Sequence, residues 1–494
     1  MNPTSRPSSF RSRLVALPTV FCLISSSVIF GYASDTLWPD AHPNDRNAGA
    51  HLQTIRADSS GNSDSDSVKV VDETSQTNDP IANYEATLDL LKQNYYGAPI
   101  TSNKTRQLTY EAIRGMLGSL RDQFTSYLDP DEWTDMEAMT EGDFDGIGAI
   151  LEQDGPDVRI EQPIENNPAE RAGIKAGDVI LSVDGKSIKG KTIEDAVRLI
   201  KGPRNTRVRL GVLRGKKTLE FVITRALIET PVVKHWMEDG DAKIGHIELS
   251  EFNKKSVQQM NAAFADLERQ GMKALIFDLR DNPGGLLETA VDVASMFIPQ
   301  NTRPELDNNV VIIHYGSGKE EGMPLRPLEH THKQLPLVLL VNGNSASASE
   351  IVTGAIKDYG VGTIVGERTF GKGKVQTLFE MPQGRDGALR LTTALYYPPS
   401  HHDINFERDE DGNRIEGTGG ILPDVPVRGW PERKEGDFSD KAHDNQLHAA
   451  VAFLKARLAK KSVAEATQIA QKAGELSPTL IEAHRPVRAR TVLK

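Results

Sequence analysis

With 494 residues, 38% hydrophobic and 26% charged, the chain has room for two to four domains and at least one sizeable core. Its formal net charge is −11, and residues 1–33 carry three arginines and no acid, so the rest of the chain stands at −14. That acidity argues against nucleic acid as a general partner, because phosphate binding needs a basic face. It leaves peptide and protein substrates open.

Residues 1–33 begin basic and then run apolar from Leu14 to Ala33, the pattern of a signal peptide or an N-terminal anchor. Pro18 and the Ser25–Ser27 run weaken a permanent span, and no clean A-x-A cleavage site follows. The only cysteine, Cys22, lies inside this run after Phe21, without the small residue that a lipoprotein site needs. Downstream there is no disulfide, zinc–thiolate site or cysteine nucleophile. Export without disulfides points to a bacterial-type envelope, with the protein periplasmic or tethered to the inner membrane and facing the periplasm.

Residues 34–79, rich in Ser, Asp, Asn and Thr, read as a solvated linker. Residues 80–137 turn helical. Tyr84, Leu88 and Leu91, then Ile113, Met116, Leu117 and Leu120, recur at helical spacing until SYLDPDEW breaks the pattern at Pro130. Residues 138–228 read as a β-rich module. FDGIGAIL is a glycine-flanked turn entering a strand, KTIEDAVRLIKG is an amphipathic helix stopped by Gly202-Pro203, and RVRLGVLR with TLEFVITR forms a hairpin. Residues 229–430 alternate strands (KIGHIEL, ALIFDLR, LPLVLLVN, VGTIVGE) with helices over 255–270, 286–297 and 347–357. This is α/β with a largely buried sheet. Residues 431–494 form a tail with helical patterns that either mediate assembly into a homo-oligomer or pack on their own domain.

Three stretches carry candidate chemistry. GERTFGKGKVQ (366–376) fits G-x-x-x-x-G-K, yet Gly373 replaces the Ser or Thr that would hold magnesium, and KVQTLFEMP continues as a strand rather than a helix. A nucleotide site is therefore rejected. There is no H-E-x-x-H or G-x-S-x-G motif, and His401-His402 sits in a charged loop, so neither a metal nor a cofactor is expected. In VNGNSASASEI (341–351), a buried strand ends and small residues open a helix, whose N-terminal N–H groups suit a serine nucleophile and a forming oxyanion. The same residues also suit plain capping and packing. FDLRDNPGGLLETA (277–290) places a Gly-Gly turn at a second strand end, where it either exposes backbone N–H groups or simply turns. Open α/β sheets bind ligands at such ends. A serine nucleophile needs a base, and with no histidine arrangement on offer a lysine is the candidate, since burial can make it neutral by lowering its pKa roughly 3–5 units. FGKG supplies one among small and apolar neighbours, as in Ser–Lys nucleophilic catalysis.

SASASE, FGKGKVQ and LRDNPGG, with SLRDQFTSYLDPDEW, TALYYPPS and GGILPDVPV around them, resemble the carboxyl-terminal processing (tail-specific) proteases of peptidase family S41 over residues 80–430. The module before the motifs resembles a PDZ domain. The resemblance implies a ClpP/crotonase-like α/β catalytic domain in series with that PDZ domain, and helical N- and C-terminal segments. It implies a serine-type endopeptidase that needs no cofactor and cleaves proteins at or near free C-termini. Its nucleophile is then Ser347 and its base Lys372, with Gln376 orienting the lysine from a strand-like continuation. The Ala348 N–H and that of Gly284 or Gly285 form the oxyanion hole. Ser345, Ser349 and Lys374 are alternatives by chemistry alone. Phe144, Gly146, Ile147 and Gly148 match the family's peptide-carboxylate loop, where a substrate C-terminus adds as a strand. Arg214 is a candidate PDZ sensor. The chain departs from the family at HHDINFERDEDGNRIEGT, a long acidic insertion over 401–418, and at Gly417–Gly420, neither expected to touch the catalytic set. The competing readings are a non-catalytic PDZ-bearing envelope adaptor and acyl-CoA chemistry on a crotonase-like fold.

Overall fold

The computed structural model describes residues 79–229, 231–327, 335–381, 387–409, 413–430 and 441–475. The N-terminal apolar run, the linker up to residue 78 and the end of the tail lie outside the described residues. Among the described residues, no helix is long and apolar enough to cross a membrane.

The first described unit holds α1 (Pro80–Asn94), capped by Asp79, and α2 (Ser102–Gly118). The Tyr84 hydroxyl donates to Thr109 Oγ1 at 2.8 Å and ties the two helices together.

After residue 117 the chain forms β1 (Ser126–Leu128) and α3 (Pro130–Glu141). Pro130 thus starts a helix instead of ending helical structure. Its missing N–H costs nothing at the first helical position, and Asp129 with Glu132 completes a capping box. The β-rich module follows as β2 (Asp143–Gly146), β3 (Ala149–Asp154), β4 (Asp157–Pro163), the short α4 (Pro168–Arg171), β5 (Val179–Val183), β6 (Lys186–Ser187), α5 (Ile193–Ile200), β7 (Arg207–Arg214), β8 (Lys217–Thr224) and β9 (Ala226–Glu229). Its sheet runs β3-β4-β5-β7-β8, with β6 on β5. Ile193, Ala196 and Ile200 of α5 are buried, as their spacing predicts, against a core with Ile160, Val208 and Leu210. β2 and β9 pair antiparallel, Asp143 opposite Glu229, so the chain enters and leaves the module through one two-stranded stem.

The α/β domain contains β10 (Val233–Asp239), β11 (Ile244–Leu249), α6 (Ser256–Arg269), β12 (Ala274–Asp278), α7 (Leu287–Ser295), β13 (Asn309–Tyr315), β14 (Glu320–Pro324), β15 (Leu337–Val341), α8 (Ala348–Tyr359), β16 (Thr363–Gly366), β17 (Lys374–Glu380), β18 (Ala388–Tyr397) and β19 (Val425–Pro426). The tail adds α9 (Asn445–Leu458) and α10 (Val463–Ala473). The main sheet runs β10-β11-β12-β15-β16-β19, parallel from β11 onward. Side chains of β12 and β15 alternate between its faces. Phe277 and Leu339 pack with α6, α7 and α8, while Ile276, Val338 and Leu340 pack with Leu447, Phe453 and Ala466 of the tail. Both faces are covered, which is why these strands read as unbroken apolar runs. The tail helices therefore pack on their own domain. A second sheet, β1-β18-β13-β14 with β17 on the other edge of β18, is not foreseen by the sequence reading beyond the strand-like KVQTLFE.

Candidate active site

Three loops leave adjacent parallel strands at the same end of the main sheet. Residues 279–286 follow β12, 342–347 follow β15, and 367–373 follow β16. Direct hydrogen bonds stitch them together. Ala346 N–H donates to Asn282 O at 3.1 Å, and Phe370 N–H to Ser345 O at 3.0 Å. The sequence-predicted cleft is thus the carboxyl edge of one sheet.

The second loop ends on Ser347, at the N-cap of α8, with φ 54° and ψ −114°. A serine there is strained by on the order of 1–3 kcal/mol and is held only because its surroundings fix it. The neighbouring serines are committed elsewhere. Ser345 Oγ donates to Leu279 O at 2.8 Å and Ser349 Oγ to Asn282 O at 2.9 Å, both fully buried. Among the described residues, Ser347 Oγ alone of the three donates to no acceptor; it sits in a capping box with Glu350 at the start of α8, and the residue is half-buried.

The glycine turn packs directly on this elbow. A Cβ on Gly284 (φ 109°) would lie 2.8 Å from Ser347 Cβ and 2.9 Å from Ala348 N. Gly284 N–H is already spent on Asn282 Oδ1 at 2.9 Å. The N–H groups of Gly285 and Ala348 donate to no acceptor among the described residues. Of the two candidate glycines, only Gly285 has a donor to offer.

Lys372 arrives on the third loop, before β17 begins at Lys374. Burial, reinforced by the positive charge of Arg390, lowers its pKa to about 8, against the opposing charges of Glu350 and Asp122. Its Nζ lies 4.9 Å from the centre of the Phe124 ring. Lys374, the other candidate, is held in an ion pair with Asp122 at 3.0 Å. No hydrogen bond joins Lys372 Nζ to Ser347 Oγ among the described residues. Gln376 lies opposite Thr392 in β18, after a register shift between Val375 and Gln376, and its Nε2 is buried without a partner. The simple alternation expected from Lys372 to Gln376 does not hold, because the strand starts late and is bulged.

Two residues without a role in the sequence reading fasten the Ser347 and Lys372 backbones together. Glu350, fully buried, accepts from Ser347 N–H at 3.0 Å, Lys372 N–H at 2.8 Å, Gly371 N–H at 2.6 Å and Thr369 Oγ1 at 2.6 Å. Burial pushes its carboxyl pKa up, and these four donors oppose the shift. The Tyr396 hydroxyl shares one proton between Ser347 O at 2.9 Å and Lys372 O at 2.5 Å. The signal for Glu350 was its place at N3 of a helix opened by Ser347; for Tyr396 there was none beyond the TALYYPPS landmark.

The acidic insertion corrects another expectation: it does touch the site. Phe406 N–H donates to Gly371 O at 3.1 Å, and Asn405 Oδ1 accepts from Gly373 N–H at 3.0 Å, so the insertion grips both neighbours of Lys372. Hence the glycines of FGKG. A Cβ on Gly371 (φ 92°) would come 2.9 Å from Gly420 N, and one on Gly373 2.7 Å from Asn405 Nδ2. His401 and His402 are exposed, and no group of metal-binding side chains occurs among the described residues.

In the β-rich module, Phe144 and Gly146 belong to β2, and Ile147 and Gly148 link it to β3, an edge strand that packs beside α5. Ile147 N–H and Gly148 N–H donate to no acceptor among the described residues. Arg214, by contrast, is tied inside the module, bidentate to Asp178 at 2.6 and 2.7 Å and to Gly173 O at 2.8 Å. It is not directed at the strand-end loops.

The family model of peptidase family S41 matches residues 243–427, and a PDZ-domain model matches residues 159–214. The carboxy-terminal-processing protease of Bartonella bacilliformis is 37% identical over 348 residues, which is 68% of this chain and 74% of that one. This chain belongs to peptidase family S41. Within that family, the carboxyl-terminal-processing protease of a Synechocystis species is 33% identical over 403 residues, covering 80% of this chain and 86% of its own. A solved photosystem II D1 C-terminal processing protease is 30% identical and covers 70% of this chain and 86% of its own, with a TM-score of 0.40. This S41 member thus joins a PDZ domain and an α/β peptidase domain, mixed α/β overall, with helices at both ends.

Proposed function

We propose that this protein is a serine endopeptidase that cleaves proteins at or near their C-termini with a Ser347–Lys372 dyad. The observation that carries the reading is the meeting, at one sheet edge, of a strained serine whose hydroxyl donates to no acceptor among the described residues and a buried lysine of depressed pKa. Neutral Lys372 takes the Ser347 proton as Oγ attacks the scissile carbonyl. This requires Nζ to leave the Phe124 ring and reach Oγ, and Gln376 orients the amine as it does so. The Gly285 and Ala348 N–H groups receive the oxyanion, each worth roughly 10²–10³ in rate. The Lys372 ammonium then protonates the leaving amine, and the neutral amine activates the water that hydrolyses the acyl-enzyme. The Glu350 and Tyr396 bonds keep the two backbones in register through both steps.

The free edge of β3 and the loop 144–148 suit a substrate C-terminus added as a strand, its carboxylate on backbone N–H groups. The N-terminal apolar run supports a place outside the cytoplasm, free in the periplasm or tethered to the inner membrane. Cell fractionation checks that placement, and sedimentation checks for a homo-oligomer. The decisive assay offers an unstructured protein with a free apolar C-terminus to the wild type and to Ser347→Ala. Wild-type cleavage with at least a ~10³-fold loss in the mutant is expected. Undiminished cleavage sinks the assignment, and tight peptide binding without turnover by the wild type would favour a silent adaptor.

A further inference from the structure

Beside Lys372 the second sheet presents an unusual set of side chains. Ser126 of β1 lies directly opposite Arg390 of β18, and Gln376 of β17 lies opposite Thr392, two residues further along β18. Directly opposed residues and i, i+2 neighbours share a face, so Ser126, Arg390, Thr392 and Gln376 form one patch. Ser126 Oγ, Arg390 Nε and Gln376 Nε2 are all buried without a hydrogen-bond partner. Three such atoms on one patch are costly unless something accepts from them.

The charges show which chemistry fits. Asp122, the nearby carboxylate, is filled by Lys374 at 3.0 Å, Thr125 at 2.8 Å and Thr392 at 2.6 Å. Glu132 attracts Arg390 from a distance but forms no ion pair with it among the described residues. Arg390 therefore keeps a positive charge in a mostly desolvated position, near enough to repel the proton of Lys372. Arg390 is half-buried, and its Nε lies buried without a partner; such a cation is best served by an anion beside it. A guanidinium with an amide and a hydroxyl alongside matches the two oxygens of a carboxylate.

We propose that Arg390, Ser126 and Gln376 form a carboxylate-binding pocket beside Lys372, occupied by a carboxylate of a bound peptide. It deepens the protease reading by naming a feature of the substrate or product, and it rests on that reading for its consequence. A carboxylate seated there neutralises Arg390 and favours protonation of Lys372, so an acidic peptide both binds and quiets the base. Two sources offer this chemistry, the terminal carboxylate and an acidic side chain near it.

The test measures binding and needs no turnover. The full chain carrying Ser347→Ala is titrated with a fluorescent hexapeptide as its free acid, as its amide, and as an amide with glutamate at the last position. The titrations are repeated after adding Arg390→Met or Arg390→Lys. Loss of affinity for the acid by about 10-fold or more in Arg390→Met, with Arg390→Lys largely restoring it and the plain amide unchanged, is the expected result for the terminal source. The same pattern for the glutamate amide alone assigns the side-chain source. A PDZ-bound fraction is equal in all these proteins, so only the Arg390-dependent part counts. Equal affinities of Arg390→Met and its parent for both carboxylate peptides overturn the proposal, as does an equal loss for the plain amide. Should Arg390→Met fail to fold by circular dichroism, Ser126→Ala takes its place, with a smaller loss confined to the carboxylate peptides. If the protease reading fails while this binding holds, the pocket stands as a ligand site alone.

Discussion

Lys372 shows how one residue trades stability for chemistry. Its pKa of about 8 in the folded chain lies below the ordinary 10.5. Between those values the unfolded chain binds more protons, so the folded state loses stability as pH falls from 10.5 to 8 and does not recover it below. Lys372→Met should therefore stabilise the peptidase domain at pH 7, by roughly 2–3 kcal/mol, seen as a higher denaturant midpoint. The same titration governs rate. In its proposed role as base Lys372 must be neutral, so kcat/KM should climb about tenfold per pH unit below pH 8 and level off above it. A flat profile from pH 6 to 9 would remove Lys372 from the role. Which lysine and which serine stand free was not decided locally. SASASE offers three hydroxyls and FGKGK two amines, and only their partners across the fold (Leu279, Asn282 and Asp122) take the others out of play.

At the scale of elements, the site is three strand-end loops held by close backbone contacts. The strands and helices that carry them were legible because apolar runs and 3.6-residue spacing report burial directly. The insertion over 401–418 was not, since its grip on Gly371 and Gly373 spans thirty or more positions in sequence. Asn405→Ala tests that grip. It removes one bond to Gly373 N–H, so stability should fall by only about 1 kcal/mol while kcat drops several-fold and KM holds. An unchanged kcat would show that the insertion does not position the lysine. Gly371→Ala is the harsher case. Its φ of 92° and a Cβ only 2.9 Å from Gly420 N should cost at least ~1–3 kcal/mol and displace Lys372.

At the scale of the chain beyond residue 117, two attachments make separable predictions. The β2–β9 stem brings the ends of the PDZ domain side by side, Gly146 opposite Ala226. Replacing residues 147–225 by a two-residue hairpin turn should leave the peptidase domain folded by circular dichroism. Discrimination between a free and an amidated substrate C-terminus should weaken through a rise in KM. The tail is attached differently. Buried Arg280, inside the glycine-turn motif, bonds Asp278 at 2.6 Å and reaches Asp444, the cap of α9, at 2.8 Å. Asp444→Ala leaves that guanidinium short of one acid and should destabilise the domain by about 3 kcal/mol, with activity lost alongside the fold in a denaturant titration. A stability change below about 0.5 kcal/mol would make the tail dispensable to the site.

The sequence by itself determined the domain order, the buried parallel strands, the ordered motifs and the failure of the nucleotide reading. Each of these is written in local spacing or in single-residue chemistry. Tertiary structure alone decided which serine hydroxyl donates to no acceptor, that Gly285 and not Gly284 has an N–H without an acceptor among the described residues, and that Glu350 and Tyr396 bind the Ser347 and Lys372 segments to each other. It also decided that the charge of Arg390 reaches the lysine. These depend on which distant groups share a hydrogen-bond donor or feel a neighbouring charge, and such partners are fixed only when the strands pair and the cleft closes over them.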